Sequence, residues 1–305
     1  MSEWPALPYE EWRDTRDTLH MYTQVLGKVR LALSPAELQW QHVPLYLTAR
    51  GLTSSAVPFG SQTFDAEFDL VDHELVLRTS EGGREVIALR PRAVADFFSD
   101  VVSALVRVGV HVALSGTPSE VSDPIPFADD RTHHSYDREW ANRFFRVLSR
   151  VDVVLKQHRA NYLGRSSPVQ FFWGTFDLAL SRFSGRPATP PGDAGIIYQR
   201  GADAEQICAG FWPGHEQFPR PAFFAYLYPK ADGLEDAPVQ PSEAGWDKQL
   251  GEFILPYDAV QSSADPERSL RSFLDSTYAA CASGWSSDLI PEGATWLGRP
   301  AHIST

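Results

Sequence analysis

Residues 167–186, SPVQFFWGTFDLALSRFSGR, decide how the chain is read. Phe171, Phe172, Trp173, Phe176 and Phe183 fall within thirteen residues, in the most apolar and aromatic run of the sequence. Asp177 and Arg182 sit inside that run and Arg186 closes it. Burying a charge is unfavourable unless it is paired or hydrogen-bonded. The stretch is therefore either the centre of a core with a satisfied ion pair or the wall of a binding site. The ion-pair reading matches Asp177 with Arg182 or with Arg50 across a sheet.

Upstream of this run, Trp140, Phe144, Val147, Val151, Val154, His158 and Tyr162 recur at helical spacing and predict a helix over 137–162, closed by Gly164 and Pro168. Downstream, apolar runs over 207–212, 222–228 and 252–255 predict strands. A Pro/Gly-rich loop over 187–201 and a polar excursion over 232–249 separate them. A last helix is expected over 266–282, with Pro266 in its first turn, and an irregular tail from Trp285.

The N-terminal part follows the same order. The spacing predicts a helix over 9–33, then a strand over 42–53. Strict alternation over 63–71 places Phe64, Ala66, Phe68 and Leu70 on one face, and Asp65, Glu67 and Asp69 on the other. Glu81-Gly82-Gly83 reads as a hairpin turn, 93–108 as a helix and 111–114 as a short strand. Each half thus opens on a helix with Glu-Trp (Glu11-Trp12, Glu139-Trp140) and continues with LYLTARGL or FFWGTFDL. The expected class is α+β: two similar α–β-meander–α halves, mostly antiparallel sheet covered by long amphipathic helices. The first half is 1–120, a linker loop 121–136 and the second half 137–305, packed as one globular unit with a cleft at the junction.

Twenty-seven basic against 39 acidic side chains give a formal charge of −12. That disfavours nucleic acid and an anionic membrane as partners, since both need a basic surface. Cys208 and Cys281 form no CxxC, which leaves no disulfide framework or cysteine zinc site. The first residues, MSEWPALPYEEW, lack the basic and apolar regions of a signal peptide, and a cytoplasmic location is expected. No cofactor is implied, because GxSxG, Walker, HExxH and GxGxxG patterns are all missing. The oligomeric state is left open.

Candidate site residues follow from chemistry. Arg50, Arg182 and Arg186 flank the two echoed segments, and guanidinium groups bind carboxylate or phosphate in a bidentate way. Trp173, Phe176, Trp212 and Tyr257, with Tyr226 and Tyr228, offer aromatic walls. His42 and Asp177 are the candidate proton carriers. Asp258 fits a general base or a helix cap. His133-His134, beside Asp129, Asp130 and Asp137, could hold a divalent ion, although loop residues without a role are the simpler expectation. His158 reads as a hydrogen-bonded core residue and His73 as solvated.

HVPLYLTARGL, FFWGTFDLALSRFSGR, AGFWPG and EFILPYDAV together resemble the hallmark segments of an uncharacterised, mainly bacterial family, domain of unknown function 5996. The resemblance covers nearly the whole chain and implies no particular reaction. Members of that family often carry His at the positions of Gln170 and Ala204, so a histidine chemistry shared with them is not expected here. The resulting expectation is a protein that binds a small anionic or aromatic molecule in an aromatic, Arg-lined cleft. The alternatives are a non-catalytic interaction protein and a metal-dependent enzyme using His and Asp ligands.

Overall fold

A computed structural model describes residues 4–190, 192 and 195–285. The expected tail beyond Trp285 lies outside the described residues. The first helix, α1, spans Tyr9–Leu33. Trp12, Leu19, Tyr22, Val25, Leu26 and Val29 bury its apolar stripe. Its other side carries Arg16, His20, Gln24 and Lys28 at a spacing of four, and these too are buried.

Six strands follow: β1 (Tyr46–Leu47), β2 (Gly51–Thr53), β3 (Val57–Phe59), β4 (Gln62–Asp69), β5 (Glu74–Thr79) and β6 (Arg84–Ala88). They form an antiparallel sheet in the order β1-β2-β4-β5-β6, with β3 also paired to β4. Phe64, Ala66 and Phe68 face Leu75, Leu77 and Ile87 on the buried side, as the alternation requires. Helix α2 (Val94–Arg107) covers this face, and its Phe97 stacks on Tyr22 of α1 with centroids 3.9 Å apart.

Helix α3 (Arg138–Ala160) opens on Asp137, whose side chain accepts the backbone N–H groups of Glu139 and Trp140. Strands β7 (Gln170–Phe172) and β8 (Asp177–Pro187) follow. Then come a short helix α4 (Ile196–Gly201), β9 (Ala204–Trp212), β10 (Ala222–Tyr228), β11 (Gly245–Asp247) and β12 (Glu252–Pro256). The second antiparallel sheet runs β11-β12-β10-β9-β8-β7. A one-turn helix α5 (Tyr257–Gln261) leads to α6 (Pro266–Cys281), N-capped by Asp265. Helices α3 and α6 cover the face carrying Leu178, Leu180, Phe211, Phe223, Phe253 and Leu255. Leu45 and Phe171 join the two sheets edge to edge by exchanging backbone hydrogen bonds of 2.9 and 2.8 Å. Among the described residues, no helix is long and apolar enough to cross a membrane.

Four local expectations change. The 42–53 segment is a hairpin: the Thr48 side chain accepts the N–H groups of Arg50 and Gly51, which turns the chain between β1 and β2. FFWGTFDL is likewise a hairpin, because residues 173–176 turn. The Phe176 N–H donates to the Phe172 carbonyl at 2.7 Å, with Phe176 at φ 63°. That conformation is rare for a bulky residue, and packing of its ring on Phe144 and Phe171 holds it there. Residues 111–114 pair with no strand, and the 187–201 segment contains α4.

A cavity over the uncovered face of the second sheet

Side chains alternate across a sheet, so the face of the second sheet turned away from α3 and α6 follows from register. Phe172 lies opposite Asp177, and Ala179 opposite Gly210. Gly210 is opposite Phe224, and Phe224 opposite Ile254. Ser181 pairs with Cys208, and Cys208 with Tyr226. Phe183 pairs with Gln206, and Gln206 with Tyr228. The centre of this face therefore carries small side chains, Ala179, Ser181 and Cys208. Phe172, Trp212, Phe224, Tyr226, Phe183 and Tyr228 stand around them.

A cavity of about 1060 Å³ lies over this floor. Its walls come from both halves of the chain: Arg16 and His20 of α1, Gln39 and Trp40, residues 119–123, Tyr198 of α4, and His215 and Glu216. The segment at Ser119 is fastened to α1. Gln24 donates to the Ser119 carbonyl at 2.7 Å and accepts the Ser119 N–H at 3.0 Å, and Lys28 Nζ donates to Ser119 Oγ at 2.6 Å. His20 Nε2 lies 3.0 Å from the carbonyls of both Trp173 and Gly174. Carbonyls only accept, so this nitrogen carries the hydrogen. Burial and nearby Arg16 push the His20 pKa down to about 3, which keeps the ring neutral.

The cavity is acidic. Asp177 is 9% exposed, and its side-chain partner is the Thr175 hydroxyl, which donates to Oδ1. Burial pushes its pKa up to about 7 against that hydrogen bond, with Glu120 and Glu252 adding to the rise. Burial, then Asp247, takes Glu252 to about 7 as well. Glu120 stands at the solvent-exposed rim, where partial desolvation raises its pKa and Lys28 opposes the rise. Burial lifts the Cys208 thiol to about 12, so it is no thiolate near neutral pH. Asp177 and Glu252 are thus carboxyl groups poised to exchange a proton near neutrality.

Of the residues singled out in the sequence, Asp177, Trp173 and Trp212 line the cavity, together with Tyr226 and Tyr228. The others lie elsewhere. Arg182 points into the opposite face, donates to the His158 carbonyl and sits over the rings of Tyr278 and Tyr162 at 4.4 and 5.1 Å. It therefore does not pair with Asp177: positions 177 and 182 differ in parity on one strand. Arg50 pairs with Asp69 and Asp72 on the first sheet, and Arg186 with Glu205 at 2.7 Å. Phe176 is wholly buried against Phe144. The Tyr257 hydroxyl donates to the Pro5 carbonyl at 2.7 Å, and its ring packs on Phe211.

His42 Nδ1 accepts the Glu37 N–H at 3.0 Å, and its ring stacks behind Trp40. His133 is held by Asp130 at 2.7 Å, and His134 by the Thr132 carbonyl. His73, expected in solvent, is buried against the Tyr136 hydroxyl at 2.9 Å. His158 is a core residue, with Nδ1 3.0 Å from Asp275. Among the described residues, no three His, Cys, Asp or Glu side chains group as metal ligands.

Glu252, Glu120, Cys208, His20 and Arg16 line the cavity without having been picked out. For Cys208 and Glu252, strand parity was the available signal. Once Asp177 and Ser181 are set on the polar face, register carries the same face to β9, β10 and β12. Gln170 is also on the cavity lining, with its amide 3.4 Å from the Tyr46 hydroxyl.

These features define an α+β protein with two edge-joined antiparallel sheets, one of them leaving an acidic, aromatic cavity over its open face. The chain belongs to the Family of unknown function (DUF5996), whose family model spans residues 4–290. No curated protein and no solved structure matches this chain.

Proposed function

We propose that this protein binds a small organic molecule in the cavity over the second sheet, as a soluble cytoplasmic protein. The observation that carries the proposal is Asp177: a carboxyl nine-tenths buried, facing an aromatic-walled space, with a hydroxyl and no cation as its side-chain partner. Native proteins bury such a group where it has a task, since the fold alone gains nothing from it. Arg50, Arg182 and Arg186 lie outside this cavity, so they lend no support to an anionic ligand there. An aromatic ligand is supported by Trp212, Phe172 and Tyr226. A volume of about 1060 Å³ suits a molecule of metabolite size.

Internal duplication belongs to the same proposal. Leu45 and Phe171 occupy matching places in the two halves, 126 positions apart (171 − 45), and they pair with each other through reciprocal hydrogen bonds. A local twofold axis produces such self-pairing of equivalent positions. Superposing residues 9–107 on 138–281 in a crystal structure tests it; an axis that does not pass between Leu45 and Phe171 removes it.

The binding reading is tested with Nile red, a neutral dye that brightens in apolar sites. The parent protein is expected to enhance and blue-shift its emission, and Ser181→Trp, which fills the floor, is expected to abolish the effect. Equal enhancement by a folded Ser181→Trp would place the dye elsewhere and remove the reading.

A further inference from the structure

Lys28, Arg16 and Lys230 around this cavity each have a partner within the protein, although Arg16 Nε is buried without a hydrogen-bond partner. Lys28 is committed to Ser119 Oγ at 2.6 Å and lies over the Trp173 ring. Arg16 pairs with Asp17 at 2.8 Å. Lys230 lies over the Trp246 ring, 4.8 Å from its centroid. The carboxyls are the opposite case. Asp177 has the Thr175 hydroxyl as its side-chain partner and no cation paired with it among the described residues. Neither the Glu252 nor the Glu120 carboxyl makes a hydrogen bond or ion pair among the described residues. Glu120 lies directly against the Cα of Gly174, in the turn that precedes Asp177.

Carboxyl groups without a paired cation, facing an aromatic-walled cavity, define a complement. A ligand anion would meet the Asp177 and Glu252 carboxyls, with Glu120 at the exposed rim, against one guanidinium, Arg16, which is already shared with Asp17. A neutral apolar ligand would leave the carboxyls unpaired, which costs roughly 1–3 kcal/mol for each polar group left so. A protonated nitrogen answers both features. It donates to the carboxylates, and its charge is attracted by the faces of Trp212 and Tyr226. The small side chains of Ala179, Ser181 and Cys208 let a flat group lie on the sheet between the rings.

We propose that the cavity selects an organic cation, a protonated amine or amidine on a small flat framework, anchored by Asp177 and Glu252. This inference rests on the binding reading above and adds the chemical class of the ligand.

Its test compares three probes of matched shape and different charge: benzamidine (cation), benzamide (neutral) and benzoate (anion). Each is titrated into the full chain by calorimetry and ligand-observed NMR at about pH 8, where carboxyls of either shifted group are mostly ionised. Benzamidine is expected to bind at least about tenfold tighter than benzamide and benzoate. Asp177→Asn is expected to weaken benzamidine roughly 10- to 100-fold, with benzamide changed by no more than about twofold. Glu252→Gln is expected to act in the same direction.

Benzoate or benzamide binding as well as benzamidine overturns the inference. So does benzamidine affinity unchanged in both acid variants, or no benzamidine binding at about 10 mM. Nile red, measured in parallel, keeps the two readings apart. Dye bound by the parent and lost in Ser181→Trp, with benzamidine failing, rejects the charge class alone. Dye retained in Ser181→Trp rejects the cavity itself. Urea unfolding midpoints of each variant identify any loss that comes from misfolding.

Discussion

Replacing Asp177 by Asn should stabilise the empty protein, and the gain should depend on pH. The Asp177 pKa is about 7 in the fold against 3.8 as its ordinary value, with burial as the main cause. Below the ordinary value the carboxyl is neutral in both the folded and unfolded chain and carries no penalty. As pH rises between the two values, the unfolded chain releases its proton while the folded chain retains it. Stability therefore falls across that window and levels off above about 7. A difference of roughly 3 units at 1.36 kcal/mol each gives a penalty of about 4 kcal/mol on the high-pH plateau. Asn keeps an acceptor for the Thr175 hydroxyl and removes the ionisation.

Urea unfolding of parent and variant at about pH 8 and about pH 4 measures this difference. The variant should be more stable by roughly 2–4 kcal/mol at the higher pH and by close to zero at the lower. The comparison between proteins matters because His20 and His158 oppose the trend in the parent. Both are neutral in the fold, with pKa values of about 3 and 4. They remove stability as pH falls from the ordinary histidine value of 6.5 towards those figures. A variant less stable than the parent at pH 8, or a gain of the same size at both pH values, would refute the reasoning. The first result would make Asp177 a paired structural group; the second would make the gain independent of its ionisation.

Other substitutions separate the cavity from the core. Arg182→Ala should cost about 2–4 kcal/mol through its lost contacts with Tyr162, Tyr278 and the His158 carbonyl, while Nile red binding persists; loss of dye binding in a folded variant would put Arg182 in the site. Gly27→Ala would drive a methyl group into the Trp173 ring, and should lower stability by about 1–3 kcal/mol despite the better helix propensity of Ala, as read by thermal unfolding. His20→Ala removes the donor shared by the Trp173 and Gly174 carbonyls, and should cost about 1–3 kcal/mol and speed amide exchange at residues 173–176 by NMR. Protection equal to the parent's would contradict the part assigned to His20.

Much of the architecture is legible in the residues. The long helices follow from apolar spacing: α1 spans Tyr9–Leu33 as read, and α3 begins at the Asp137 cap. The first sheet follows from the alternation of Phe64, Ala66 and Phe68 with acids. The hairpins within 42–53 and 171–178 are not legible, because continuous apolar character hides a turn. Thr48 and Gly174-Thr175 mark those turns only through the side-chain and backbone hydrogen bonds they make.

The site was legible in part. Asp177 and Trp212 stood out as a charge and an aromatic in apolar runs. Arg182 is close to Asp177 in sequence but not in space, because strand parity sends residues 177 and 182 to opposite faces. The Arg16, His20, Gln24 and Lys28 stripe is buried because two segments far along the chain fold onto it, Ser119 over Gln24 and Lys28 and the 173–176 turn over Arg16 and His20, contacts that no local pattern encodes.

Mass spectrometry of compounds released on denaturing the natively purified protein, parent against Ser181→Trp, addresses the binding proposal most directly. A small organic compound carried by the parent and missing from the folded variant is the predicted result. The same compound recovered in equal amounts from both would contradict a ligand seated on the floor of the second sheet.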